Sequence, residues 1–203
     1  MTQVGTVTFP DYSGLRCLMM PYVQGEPDSV PDEYAEYWDI IASTFLERGA
    51  VGYLTIDESP VQAGAPHRGD RARYGRALHT EAGRLPGQTD LRWGGSWGGR
   101  ANVRLERGVQ VLLANSVGGT CALWDTVHEN TSSDGDIGDQ ADLYPYDEAV
   151  VMEAGEVHLI GVLTPHESLP VRANVNRQFL RIVGSGVHGR ESYFTVNPLM
   201  SAA

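Results

Sequence analysis

The chain has 203 residues, 41% hydrophobic and 20% charged, which is the size of one ordinary domain and enough to bury roughly 70% of its unfolded surface. Its 26 acidic and 15 basic residues leave a net charge of −11 and a pI near 4.9, so neither nucleic acid nor a membrane surface is an expected partner. All the basic residues are Arg, and the absence of Lys excludes Schiff-base chemistry, a pyridoxal phosphate lysine, the P-loop G-K-[ST] and a Lys general base.

Met1 to Gly5 lacks a basic segment followed by an apolar run, and no window approaches 18 apolar residues, so a cytoplasmic, soluble protein is expected. Val4 to Phe9 and Gly14 to Val23 read as strands. In Val30 to Arg48 the apolar residues Tyr34, Tyr37, Trp38, Ile41 and Phe45 recur in steps of three and four, which predicts a helix. Ser29 is its cap, Pro31, Asp32 and Glu33 fill its first turn, and Arg48 lies in its last. That helix is expected to pack on the outside of a sheet.

From Ala50 onward, strands alternate with Gly, Asp, Asn and Pro clusters. Val51–Glu58, Arg76–Ala82, Gly108–Asn115, Cys121–Val127, Ala149–Glu153, Glu156–Leu163, Arg177–Val183 and Glu191–Val196 are the predicted strands. Gln62 to Tyr74 is a polar loop carrying His67, Arg68, Arg71 and Arg73, and Gln88 to Arg100 is a glycine-rich loop. The acidic segment Glu129 to Asp147 reads as a solvated or mobile loop, without the spacing or closing Glu of an EF-hand. Cys17 and Cys121 lie in apolar runs outside any C-x-x-C pair and read as buried, reduced thiols. One helix followed by many short strands predicts a mainly β sandwich or small barrel in a single domain: N-terminal strands and flanking helix over 1–49, then a core over 50–198.

Three groups carry the candidate chemistry: Leu78-His79-Thr80-Glu81, Thr164-Pro165-His166-Glu167-Ser168-Leu169-Pro170 and Arg177-Gln178-Phe179-Leu180-Arg181. A strand sends residues i and i+2 to one face, so His79 and Glu81 can present an imidazole and a carboxylate to one point. His166 completes a two-His, one-carboxylate set, the ligand type that leaves positions open on Fe(II). Arg177 and Arg181 follow His166 by 11 and 15 residues and share one strand face, where either one can clamp a carboxylate. Asp125 is the replacement carboxylate if Glu81 is not a ligand.

This pattern over Arg76 to Val183 resembles the Fe(II)/2-oxoglutarate-dependent oxygenases: H-x-D/E, a distal His far downstream, and an Arg about ten residues beyond it. Gln110–Asn115 with Gly118-Gly119-Thr120, and the turn Glu153-Ala154-Gly155-Glu156, look like further elements of that family. The chain departs from it in using Glu81 where most members have Asp, and in the long interval, 87 positions from His79 to His166. The resemblance implies a double-stranded β-helix of the jelly-roll or cupin-like type, with His79, Glu81 and His166 as iron ligands. It also implies Arg177, or alternatively Arg181, on the distal carboxylate of 2-oxoglutarate, and oxidation of an unactivated C–H bond with O2. Asn115 is a co-substrate candidate. Trp93, Trp97, Arg100 and Trp124 are candidates for contacts with a small-molecule substrate, an amino acid or small carboxylate. The rival readings are a cupin-type metal enzyme that does not use 2-oxoglutarate, and a non-catalytic jelly-roll module whose tryptophans hold a ligand.

Overall fold

A computed structural model describes residues 1–67, 75–84, 87–94, 103–129 and 135–200. The strands are β1 (Thr2–Thr6), β2 (Arg16–Val23), β3 (Val51–Val61), β4 (Leu78–His79), β5 (Ala82–Gly83), β6 (Leu91–Trp93) and β7 (Arg104–Leu105). They continue as β8 (Gln110–Asn115), β9 (Cys121–Leu123), β10 (Val150–Val151), β11 (Glu156–Gly161), β12 (His166–Ser168), β13 (Val175–Val183) and β14 (Val187–His188). The one α-helix among the described residues is α1 (Trp38–Ser43). The strands form antiparallel sheets in the orders β1-β11-β8-β13-β3-β2, β10-β9-β12-β4 and β14-β7-β6-β5. The fold is therefore mainly β, as the turn-punctuated sequence predicts.

The six-stranded sheet is buried on both faces, and its period-two alternation sorts residues between two cores. Leu54 and Ile56 of β3, Leu112 and Ala114 of β8, and Leu180 and Ile182 of β13 face outward under Tyr34, Tyr37, Ile40 and Ile41. Val111 and Leu113 of β8 and Val183 of β13 face inward, against Leu123, Trp93, Leu105 and Ile160. The inward face of β13 also carries Arg177, Phe179 and Arg181, so two guanidinium groups lie in the interior.

The segment predicted as a helix over Val30–Arg48 does pack outside this sheet, but it is shorter. A 3-10 turn over Asp32–Tyr37 leads into α1, and Thr44 is already extended. The amides of Leu46 and Glu47, which a continuing helix would pair with carbonyls four residues back, instead donate to Oε1 of Gln24 at 2.9 and 3.4 Å. A buried carboxylate fastens the preceding chain. Glu58 accepts the backbone N–H groups of Ser13, Gly14 and Leu15 at 2.8, 2.6 and 3.1 Å, the Tyr37 hydroxyl at 2.7 Å and Gln178 Nε2 at 3.1 Å.

Three further expectations need correction. The predicted strand Arg76–Ala82 is two strands in different sheets, β4 and β5, because the chain bends at Thr80–Glu81, where the Thr80 hydroxyl donates to the Ala82 carbonyl at 2.7 Å. Glu191–Val196 is a turn, with Phe194 buried in the interior core and Thr195 bonded to Leu18, while β14 forms earlier in the chain. The acidic segment, over its described residues, is an ordered layer on the outside of β4, β12 and β9. Thr80 N–H donates to Gly135 and Ile137 N–H to Leu78, and Ile137 and Tyr144 are buried with Leu78, Ala122 and Trp124. Gly135 makes this approach possible: at φ +76 a Cβ there would lie 2.4 Å from the Thr80 carbonyl oxygen. No helix among the described residues is long and apolar enough to cross a membrane.

Candidate metal centre

His79 ends β4 and His166 begins β12, and these two residues are direct partners in the antiparallel ladder. Directly opposed residues on one sheet face approach closely, and the two imidazole rings are 3.9 Å apart between centroids. Glu81 lies just past the bend after β4, held by a bond from Gly94 N–H to its carbonyl, and its side chain turns back to the same point. One nitrogen of each imidazole and one carboxylate oxygen lie within 4.8 Å of one another, so the three side chains can hold a metal ion. All three are buried, at 7, 1 and 4% exposure for His79, Glu81 and His166.

The imidazole orientation is fixed by the backbone. His79 Nδ1 donates to the Ala77 carbonyl at 2.8 Å, and His166 Nδ1 donates to the Thr164 carbonyl at 3.0 Å. A carbonyl can only accept, so each Nδ1 carries a proton, and in the neutral ring the lone pair belongs to Nε2. His166 Nε2 is 3.4 Å from Glu81 Oε1. Outer-shell bonds of this kind set the tautomer and ring direction of metal-binding histidines. Sets of two imidazole nitrogens and one carboxylate bind divalent iron and zinc among the common metals.

Both arginines on the inward face of β13 are buried, yet their surroundings differ. Arg181 Nη1 donates to both Glu81 oxygens at 3.2 and 3.0 Å, its Nη2 to the Thr55 hydroxyl at 3.2 Å, and its guanidinium lies 4.5 Å from the Trp93 ring centroid. Arg177 donates from Nε to the Thr120 hydroxyl at 2.9 Å and from Nη1 to His67 Nδ1 at 2.5 Å. Neither partner is a carboxylate, and burial pushes the guanidinium down to about 10. Asn115 lies beside this group, accepting from Thr120 through Oδ1 at 2.8 Å, while its buried Nδ2 has no hydrogen-bond partner among the described residues. Cys121 lies between the two regions. Burial raises its thiol to about 11, with the positive charge of Arg177 opposing the rise and the negative charge of Glu81 adding to it.

No protein-family model and no curated protein matches this chain.

Of the sequence candidates, His79, Glu81, His166, Arg181 and Trp93 meet at one place, and Arg177 and Asn115 meet at a neighbouring one. Trp124 is on the other face of its strand, its indole N–H donating to the Pro145 carbonyl at 2.9 Å among Leu78, Ala122, Ile137 and Tyr144. Asp125 is exposed and paired with the N-terminal ammonium, away from the imidazoles. Trp97 and Arg100 lie outside the described residues. Cys17 and Cys121 are free and buried, as expected.

Sequence reasoning assigned no role to Thr55, Asp57, His67 or Thr120. Asp57 accepts from Arg16 Nε at 2.9 Å and lies 3.6 Å from His67 Nε2. The available signal was the run Tyr53-Leu54-Thr55-Ile56-Asp57-Glu58, in which polar residues alternate with apolar ones. Such a run is ordinarily read with its polar side toward solvent. Here Leu54 and Ile56 are covered by the helical segment, and Thr55 instead points to the interior arginine.

Proposed function

We propose that the chain is a non-haem Fe(II)- and 2-oxoglutarate-dependent oxygenase built on a double-stranded β-helix, acting on a small molecule. The observation that carries the reading is the buried His79–Glu81–His166 group with both Nδ1 protons committed to backbone carbonyls. The strand path agrees with it. From β3 onward the chain deals β3, β8, β11 and β13 to one sheet and β4, β9, β10 and β12 to another, with His79 and His166 on adjacent strands of the second.

In this reading Nε2 of His79, Nε2 of His166 and the Glu81 carboxylate hold the iron. The bound iron and keto acid supply the oxidising chemistry, with O2 consumed, 2-oxoglutarate converted to succinate and carbon dioxide, and a C–H bond of the substrate oxidised. Arg177 takes the distal carboxylate, since Arg181 is already paired with Glu81 and Arg177 has no carboxylate at hydrogen-bond distance. A buried cation with only neutral partners is costly, and an incoming anion removes that cost. Asn115 Nδ2 offers a further donor beside it. Trp93 and the apolar interior around it exclude water from the reacting end.

The test is anaerobic addition of Fe(II) and 2-oxoglutarate to metal-free protein. The expected result is the weak visible charge-transfer band of a keto acid chelated to iron, absent in His79→Ala and His166→Ala. Iron binding without the band would move the reading to a cupin-type metal enzyme. Failure to bind iron would make the group a metal-free polar cluster.

A further inference from the structure

Arg177 is 3% exposed, and its guanidinium is built to take a carboxylate with two nitrogens at once, either Nε with Nη2 or Nη1 with Nη2. Thr120 engages Nε and His67 engages Nη1, and no described residue is bonded to Nη2. Each two-nitrogen face is thus half occupied, and a bidentate anion has to displace one neutral group. Thr120 is a strand-end residue whose hydroxyl is also within reach of Asn115 Oδ1 at 2.8 Å and of the Val117 carbonyl at 2.6 Å, so it is held in place.

His67 is held differently. Its backbone is tied down, because the neighbouring loop bonds to the connection between β12 and β13 through Gly64 N–H to Val171, Val171 N–H to Ala65 and the Pro66–Pro170 bridge. Its imidazole has one close partner, Arg177, and a looser one, Asp57, at 3.6 Å from Nε2. Asp57 in turn is fixed by Arg16 Nε at 2.9 Å and Ser59 Oγ at 2.8 Å. Burial and the adjacent Arg177 hold His67 down to about 4, so the ring is neutral near pH 7 and its Nδ1 is an acceptor. As a neutral group it satisfies a donor on Arg177 without cancelling the charge.

We propose that His67 is a displaceable plug on the anion subsite: its imidazole occupies Nη1 of Arg177 when the subsite is empty and rotates away when a ligand carboxylate binds. This rests on the oxygenase reading in that the carboxylate is taken to be the distal one of 2-oxoglutarate. The device sets a threshold on co-substrate binding, since every carboxylate that takes the Nη1–Nη2 face first breaks one buried hydrogen bond. It also keeps the buried donor satisfied between turnovers.

The test is anaerobic titration of the Fe(II)-loaded wild type, His67→Ala and His67→Leu with 2-oxoglutarate, with association rates followed by stopped flow. His67→Leu keeps apolar volume in the event that the smaller variant is unstable. Removing the acceptor is expected to tighten binding about tenfold, the factor equivalent to one net hydrogen bond, and to speed association. Unchanged or weaker binding in both folded variants, while the wild type binds, would overturn the plug and make His67 part of the clamp. If neither wild type nor variants bind 2-oxoglutarate although iron is bound, the reading of Arg177 itself falls and the plug with it.

Discussion

Replacing Arg177 by Met should make the metal-free protein more stable and, with Arg177 as the proposed anion subsite, abolish the binding of 2-oxoglutarate. Arg177 is buried, and its two hydrogen-bond partners are a hydroxyl and a neutral imidazole. The fall of its guanidinium from the ordinary arginine range to about 10 corresponds to about 3 kcal/mol at ~1.4 kcal/mol for each tenfold change in the proton equilibrium. The charged form of the folded protein carries that penalty at neutral pH. Methionine has similar length, fills irregular space and leaves only acceptors, Thr120 and His67, without their donor, a loss of about 1 kcal/mol each. The net expectation is a gain of about 1–2 kcal/mol, within the range seen when buried charges are replaced by apolar side chains. For a domain of this size that raises the melting temperature by roughly 2–8 °C. Thermal unfolding of metal-free wild type and R177M at pH 7.5 measures it, and calorimetric titration with 2-oxoglutarate measures the loss of binding. A variant destabilised by about 2 kcal/mol or more would refute the reasoning, because it would mean that Arg177 is a structural anchor whose charge is already compensated.

Arg181 should behave in the opposite way. Arg181→Met removes the bonds from Nη1 to both oxygens of the Glu81 carboxylate, which is 1% exposed, and should cost about 3–5 kcal/mol in metal-free protein; added Fe(II) should recover part of this, read as a larger metal-induced rise in melting temperature than wild type shows. Glu58→Gln should destabilise the protein by about 1–3 kcal/mol at pH 7, measured by urea unfolding. Burial alone would raise the Glu58 carboxyl, but the bonds from Tyr37, Ser13, Gln178 and Leu15 hold it below the ordinary value. Its contribution is therefore present above the unfolded value and is lost as pH falls through the folded one, so the gap between variant and wild type should close in acid. His67, held down to about 4 from an ordinary value near 6.5, stays neutral in the folded chain while the unfolded chain takes up a proton. The His67 contribution to stability is thus full above about pH 6.5 and is lost as pH falls toward the folded value; in His67→Leu the loss of stability between about pH 6.5 and 5, followed by unfolding at each pH, should be smaller than in wild type.

The candidate metal residues were legible because strand periodicity and residue type are local properties. An imidazole and a carboxylate two positions apart in an apolar run, with a second imidazole far downstream, identify His79, Glu81 and His166 without knowledge of the path between them. The structure brings them together by a different route from the expected one. Glu81 shares the site with His79 because the chain bends at Thr80, where the Thr80 hydroxyl meets the Ala82 carbonyl, and not because one strand runs through both. The helix over Val30–Arg48 shows the converse. Its apolar spacing correctly marks the buried face, whereas its length depends on Gln24, a residue outside the segment that takes the amides of Leu46 and Glu47.

Sequence alone determined the mainly β class, the absence of Lys-based chemistry, the buried thiols and the candidate His79–Glu81–His166 set, since these follow from composition, alternation and residue spacing. Only tertiary structure distinguishes the surroundings of Arg177 from those of Arg181. Both have the same parity on β13 and the same intrinsic chemistry, and what separates them is that Glu81 faces one and the neutral pair of Thr120 and His67 faces the other. It also decided that Trp124 turns to the outer layer, and that Thr55 serves the interior instead of solvent. The physical reason is common to all three. Periodicity says which residues share a face, but what that face meets depends on elements packed from distant parts of the chain.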